Sequence, residues 1–275
     1  MLVPHQHWYK MKIIVSHDVD HLFGRDHWLR DLIYPKLWVR ETISLLRGRI
    51  PFKEWFFRCI SCFKHKRNYV PELIQFDKTH GIKSTFFFGM NQGLGMSYKP
   101  IEAKEMIHFV REQGFDAGVH GICFDDLAGI EKERHTFTNL MGFEPAGIRM
   151  HYVRFNESTF QLLNKNGYSF DSTEFDKREG LCVKAPYKVG SMWEFPLCVM
   201  DSYLPYNLQQ AKDITMEALQ TANNKQIEYF TILFHDTHYG KEYSVYKEWY
   251  EWLIKYAEKQ KIEFISFSDA IKELN

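Results

Sequence analysis

The stretch "IIVSHDVDHLF" (residues 13–23) sets Asp18 and Asp20 two positions apart at the end of an apolar, β-branched run, with His17 and His21 beside them. Side chains of a strand alternate faces, so both carboxylates point to one side. Two negative charges held that close need a cation or a proton between them. Later apolar runs close on polar residues of the same kind: His120 in "DAGVHG", Arg149, His151 and Tyr152 in "AGIRMHY", Asp171 in "YSFDS", and His235, Asp236 and His238 in "EYFTILFHDTH". One histidine after a strand is usually a hydrogen-bonded structural residue. Carboxylates, imidazoles and a guanidinium recurring at the same position of successive runs instead indicate a divalent metal site flanked by a base and an acid.

The elements that would carry these groups are short runs such as "KIIVSH", "KSTFFFGM", "DAGVHG", "AGIRMHY", "YSFDS", "WEFPLCV", "EYFTILFH" and "IEFISF". Between them lie segments with apolar residues three and four apart, among them "PIEAKEMIHFVREQG", "NESTFQLLNKNG" and "VYKEWYEWLIKYAEKQ", with Gly114 and Gly167 as stops. Strands alternating with helices predict a parallel sheet. Their number predicts a deformed (β/α)7–8 barrel, in which functional groups gather at the C-terminal ends of the strands. The chain reads as a single domain over residues 1–275, with a long helical insertion, residues 22–70, after the first strand.

That insertion carries eleven Lys or Arg against four Asp or Glu, a net +7. Trp28, Trp38, Trp55, Phe56 and Phe57 interleave with the charges. Such a mixture suits an anionic membrane surface or a lipid-diphosphate substrate, and it equally suits a helical pair packing its aromatics on the barrel behind a solvated basic face. The whole chain balances 35 basic and 35 acidic residues, which gives no bias toward nucleic acid. Hydrophobic content of 45% is enough for a large core. Five scattered cysteines, the lone pair Cys59 and Cys62 near His65 included, read as reduced thiols without a second ligand pair for zinc. The N-terminus shows no charged leader followed by an apolar stretch, so the expected location is cytoplasmic.

With "SHDVDH", "GVHGICFDD", "GIRMHY", "YSFDSTEFD" and "ILFHDTHYG" in this order, the chain from about residue 12 to about residue 268, the long insertion excluded, resembles the polysaccharide deacetylase family, carbohydrate esterase family 4. The resemblance implies Asp18 as general base, Asp20 and His120 as metal ligands, and Arg149 as the residue that holds the base. It implies the Tyr152 backbone N–H as oxyanion donor, His235 as general acid, and a fourth-motif role for Asp171, tethering Arg149 or a neighbour. One position departs from the pattern: the family's second histidine falls where this chain has Phe124. His151 shares the strand face of Arg149 and is the preferred third ligand, with Asp125 as the alternative. Asp125 and Asp126 also suit the start of the next segment, and Asp201 after "LCVM" suits either a tether or a cap.

The implied reaction is metal-dependent hydrolysis of an N-acetyl group on an amino sugar, with zinc as the first choice of divalent ion and no organic cofactor. Tyr152, Trp193 and the insertion's tryptophans are candidates for stacking on sugar rings. A cytoplasmic enzyme would meet a nucleotide- or lipid-linked precursor, whose phosphates the basic insertion could contact, with peripheral membrane contact through residues 22–70. Two other readings compete: a catalytically inactive carbohydrate-binding barrel, and a deformylase or amidohydrolase acting on a lipid-linked sugar or a non-sugar amide.

Overall fold

The computed structural model describes residues 8, 10–24, 33–64 and 67–275. Its centre is β1 (Lys12–Val19), flanked in parallel by β2 (Thr85–Gly89) and β9 (Tyr229–Leu233). These strands read as unbroken apolar runs because both their faces are covered: Ile13, Ile14, Phe86, Phe87 and Phe88 are fully buried. Outward from β2 come β3 (Asp116–Gly121), β4 (Ile148–Met150), β5 (Phe170–Asp171), β7 (Met192–Glu194) and β6 (Tyr187–Val189). Beyond β9 comes β8 (Val199–Met200), and β10 (Glu263–Phe264) pairs with the start of β1. Every pair is parallel except the β6–β7 hairpin.

The sheet curls into an incomplete barrel, as the sequence predicts. Its far ends approach through the Leu197 N–H donated to the Glu174 carbonyl (2.9 Å) and the Cys182 N–H donated to the Cys198 carbonyl (3.3 Å). The run "WEFPLCV", expected as one strand, is divided into β7 and β8. Pro196 falls between them and has no N–H to offer a ladder.

Between β1 and β2 lie α1 (Ile33–Leu46), α2 (Phe52–Ser61) and α3 (Val70–Thr79). The later described helices are α4 (Pro100–Glu112), α5 (Leu127–Met141), α6 (Thr159–Lys165), α7 (Leu208–Asn224), α8 (Ser244–Lys259) and α9 (Phe267–Leu274). Asp126 caps α5 by accepting from the Ala128 and Gly129 N–H groups. Gly114 and Gly167, past the ends of α4 and α6, take φ of +87° and +74°, a conformation glycine adopts without penalty.

Alternation along β1 sorts its side chains. Ile13, Val15 and Val19 join the main core beneath the helices. Ile14 enters a separate inner cluster with Phe87, Phe170, Phe195 and Phe267, where the Phe170 and Phe267 rings stack at 4.4 Å. Above this apolar floor the same column continues as Ser16, Asp18 and Asp20, so period two carries the strand from floor to polar rim.

In the segment between β1 and β2, buried Arg58 pairs with Glu41 and Glu54 and donates from Nε to the Glu242 carbonyl (2.8 Å). Its guanidinium lies between the Tyr206 and Tyr243 rings, at 4.5 and 4.6 Å. That residue fastens α1 and α2 to the barrel. No described helix is long and apolar enough to cross a membrane.

Candidate functional site

The C-terminal ends of β1, β3, β4, β8 and β9 surround a cavity of about 500 Å3. Asp18, Asp20, His120, His151 and His235 line it, with Tyr152 and Val153 at its edge. Arg149 is fully buried just below. It donates from Nη1 to Asp18 Oδ1 (3.1 Å) and Ser16 Oγ (2.8 Å), from Nε to the Ser172 carbonyl (2.7 Å), and from Nη2 to Ser172 Oγ (2.9 Å). The Phe87 ring lies 4.7 Å under the guanidinium. A planar fork tied at every edge has no freedom to swing away from Asp18.

Asp20 Oδ1, His120 Nε2 and His151 Nδ1 converge on one point. The carboxylate oxygen is 3.2 Å from the first ring nitrogen and 3.4 Å from the second, and the two nitrogens are 3.0 Å apart. The opposite nitrogens fix what faces the centre: His120 Nδ1 meets the Arg149 carbonyl (3.0 Å) and His151 Nε2 meets the Leu94 carbonyl (3.1 Å). A carbonyl only accepts, so those nitrogens carry the protons and the converging ones present lone pairs. Asp20 Oδ1 is itself buried without a hydrogen-bond partner. Three buried acceptors aimed at one another are a poor arrangement unless a cation sits among them, and the donor set, one carboxylate and two imidazoles, fits a divalent ion. A single added proton would satisfy one ring and one acceptor and leave the third unmet.

Across the cavity, His235 Nδ1 donates to Asp201 Oδ1 (2.7 Å) and the His235 backbone N–H donates to Asp201 Oδ2 (2.7 Å). His238 Nδ1 meets the same Oδ2 at 2.8 Å. Burial alone would lower the His235 pKa, but the Asp201 charge and hydrogen bond outweigh it and push it up to about 10. His238 goes the other way: burial, reinforced by the neighbouring His235 and Arg58, lowers it despite Asp201. His235 Nε2 faces the cavity, 3.9 Å from Asp20 Oδ2.

The backbone after β4 is strained. Tyr152 (φ 57°) and Val153 (φ 43°) take successive left-handed conformations, each costing about 1–3 kcal/mol for a non-glycine residue. They follow His151 directly and turn the chain along the cavity's edge, leaving Tyr152 59% exposed with its ring 4.0 Å from that of His151. Leu94, whose carbonyl holds His151, is also left-handed (φ 52°).

Other residues that the sequence singles out lie off the cavity. The partners of Arg149 are Ser16, Asp18 and Ser172. Asp171 accepts from Thr173 Oγ1 (2.5 Å) and is buried beside Glu194. Burial and then the Asp171 charge keep the Glu194 carboxyl protonated well above its usual range, while its Oε1 accepts the Thr173 and Glu174 N–H groups. Thr173 Oγ1 also accepts from the Met150 N–H (2.9 Å), so this pair braces β4 from behind. Asp125 is exposed and outside the convergent cluster. Phe124 lies under the Arg154 guanidinium, at 4.2 Å, in a neighbouring cavity. Asp236 is turned to the opposite face, accepting the Tyr69 N–H at 3.0 Å. His17 is likewise on the helix side, between Asp77 and the Phe234 carbonyl.

The stacking candidates fare differently. Trp193 packs against the inner cluster near α9 and donates to Asn275 (3.3 Å), away from the cavity. Trp55 donates to Thr42 (3.1 Å) and Trp38 packs beside Tyr34 and Leu37, so neither lines it. Trp28 and His65 lie outside the described residues, and neither Cys59 nor Cys62 is in a disulfide. Residues that spacing did not single out form the opposite wall: Lys36 and Arg40 of α1, Arg67 and Lys177.

No protein-family model and no curated protein matches the sequence. Solved structures do match in shape. A candidate polysaccharide deacetylase from Mycobacterium smegmatis superposes with a TM-score of 0.60 at 14% identity, over 99% of this chain and 92% of the other. Puue allantoinase gives 0.61 at 15% identity, over 98% and 92%. The Bc1960 peptidoglycan N-acetylglucosamine deacetylase gives 0.50 at 12% identity, over 96% and 89%. The resemblance carried by the five sequence motifs is thus met at the level of the fold, and the chain has the deformed-barrel architecture of the polysaccharide deacetylases.

Proposed function

We propose that the chain is a divalent-metal-dependent hydrolase that removes an N-acyl group, acetyl in the first instance, from an amino sugar. The observation that carries this reading is the convergence of three buried acceptors, Asp20 Oδ1, His120 Nε2 and His151 Nδ1, beside an Arg-held Asp18 and an Asp-held His235. Asp20, His120 and His151 would hold the ion, zinc being the best match to one carboxylate and two imidazoles. When bound, it would supply Lewis acidity to the acyl oxygen and to the attacking water.

The chain's own residues account for the proton movements. Asp18, kept in place by Arg149, takes the proton of the attacking water as general base. The Tyr152 backbone N–H, in the strained turn beside His151, would be the donor to the charge that develops on the acyl oxygen. His235 is protonated at neutral pH because Asp201 sustains its charge, and its Nε2–H passes to the leaving amine, which departs poorly as an anion. Asp171 and Glu194 act indirectly, by bracing β4. The cations Lys36, Arg40, Arg67 and Lys177 suit an anionic substituent, such as the phosphate of a nucleotide- or lipid-linked amino sugar.

The test is acetate and formate release from nucleotide-linked N-acyl amino sugars, with zinc content measured on the same samples. Asp18→Asn should lower kcat/KM by about 100-fold to 10,000-fold while about one ion per chain is retained. Turnover indifferent to chelators, or no acyl release from any sugar amide, would rule the reading out.

A further inference from the structure

The outer face of α1 and α2 is inverted relative to a helix pair that ends at solvent. Their inner faces are already packed, through Tyr34, Leu37 and Glu41 on α1 and Glu54 and Arg58 on α2. Yet seven of the fourteen exposed large apolar side chains among the described residues fall between Val39 and Phe63. Val39, Ile43 and Leu46 follow the i, i+4, i+7 spacing of one helical stripe, and Leu46 is 81% exposed. Phe52, Phe56 and Ile60 repeat the pattern on α2 at i, i+4, i+8. Every exposed charged residue from 33 to 64 is basic: Lys36, Arg40, Arg47, Arg49, Lys53 and Lys64. The two acids in that stretch, Glu41 and Glu54, are buried against Arg58, leaving a net +5 from seven bases and two acids.

We infer that this hairpin docks on an anionic phospholipid bilayer, its apolar stripes entering the interfacial layer and Arg47, Arg49 and Lys53 lying at the lipid phosphates. Exposed apolar stripes of this extent need a partner, and a uniformly cationic border selects an anionic one. A second copy of the chain fits less well, because a two-fold contact through the same face would set two such borders against each other. Docking stands whether or not the cavity hydrolyses an amide. It also has a consequence that does rest on the hydrolytic reading. The other edge of α1, with Ile33, Lys36, Leu37 and Arg40, lines the cavity, so docking brings the mouth beside the headgroups where a lipid-linked sugar would be presented.

The experiment is flotation of the full chain with vesicles of phosphatidylcholine mixed with phosphatidylglycerol, against phosphatidylcholine alone, at low and high salt. Wild type should partition onto the anionic vesicles about tenfold or more above the neutral ones, with the excess lost at high salt. Arg47→Glu with Arg49→Glu, and separately Leu46→Ser with Phe56→Ser, should each reduce that partition by about tenfold or more. These positions are exposed and outside the cavity, so thermal melting, zinc content and turnover of water-soluble substrates should stay at wild-type values in both variants. Loss of turnover in wild type with vesicle binding intact would sink the hydrolase and leave the docking standing. The docking is overturned by failure of wild type to bind anionic vesicles at low salt, or by equal binding of wild type and both variants. It is also overturned by a dimer in sedimentation velocity that Leu46→Ser with Phe56→Ser abolishes.

Discussion

Two clusters on the rim have the same composition, one aspartate and two histidines, and opposite wiring. In Asp20–His120–His151 the far ring nitrogens are spent on main-chain carbonyls, so the near ones face inward bare. In Asp201–His235–His238 each near nitrogen, Nδ1, meets the carboxylate at 2.7–2.8 Å, where a proton completes the contact. The first arrangement has a deficit of positive charge at its centre; the second is already satisfied. Residue types alone do not separate an ion site from a hydrogen-bonded relay; the partners one bond further out do.

The largest effect should come from exchanging the two carboxylates' fates. Asp20→Ala should abolish turnover and weaken zinc binding by more than about 100-fold, beyond the loss expected for an outer partner. Asp201→Asn should leave zinc binding within a few-fold of wild type in isothermal titration. If Asp201→Asn releases the ion and Asp20→Ala keeps it, the contrast is inverted.

Next is the charge on His235. His235→Ala should cost about 100-fold to 10,000-fold in kcat with zinc retained, and it should remove the alkaline limb of the pH profile. The His235 pKa is raised, so the stability from its pairing with Asp201 is complete below the ordinary imidazole value of about 6.5 and is lost as pH rises through about 10. Asp201 is held low, so its share is present above the ordinary carboxylate value and is lost as pH falls. Asp201→Asn should therefore draw the alkaline limb of activity down toward neutrality. A limb that stays near pH 10 in that variant would assign it to another group.

The smallest effect concerns the position where the family's second motif carries histidine. Phe124→His should change zinc affinity by no more than a few-fold, since the side chain sits under Arg154 and outside the convergent cluster, and should cost about 1 kcal/mol of stability because the half-buried ring also packs against the core. A tenfold gain in affinity would show that position 124 reaches the ion after all.

What could be read from the sequence follows from short-range rules. Period two in β1 sets Ile14, Ser16, Asp18 and Asp20 in one column, and the same rule puts His151 on the face of Arg149, so the meeting of these side chains was visible in the order of residues. The barrel was visible for the same reason, as apolar runs spaced by helical segments. Long-range partners were not. Nothing near Arg149 in sequence points to Ser16 or Ser172, and Glu194 meets Asp171 only because β5 and β7 pair. Two-residue strands such as β5 and β8 are too short to carry a period of their own. The basic character of the segment after β1 was plain, but which cations turn toward the cavity depends on how Arg58 seats the hairpin.

The Leu94 carbonyl has a consequence of its own. It is a main-chain atom, so no change of side chain at position 94 deletes it, and the protonation pattern of His151 depends on the orientation of one peptide plane. Gly95, next in the chain, sits at φ +93°, where any other residue would be strained although a Cβ would find ordinary contacts at 3.5 and 3.6 Å. Turning that peptide over would present an N–H in place of the carbonyl, move the ring proton to Nδ1 and aim it at the centre of the cluster. The proposed affinity of the rim for a cation would therefore be set partly in a loop that contributes no ligand.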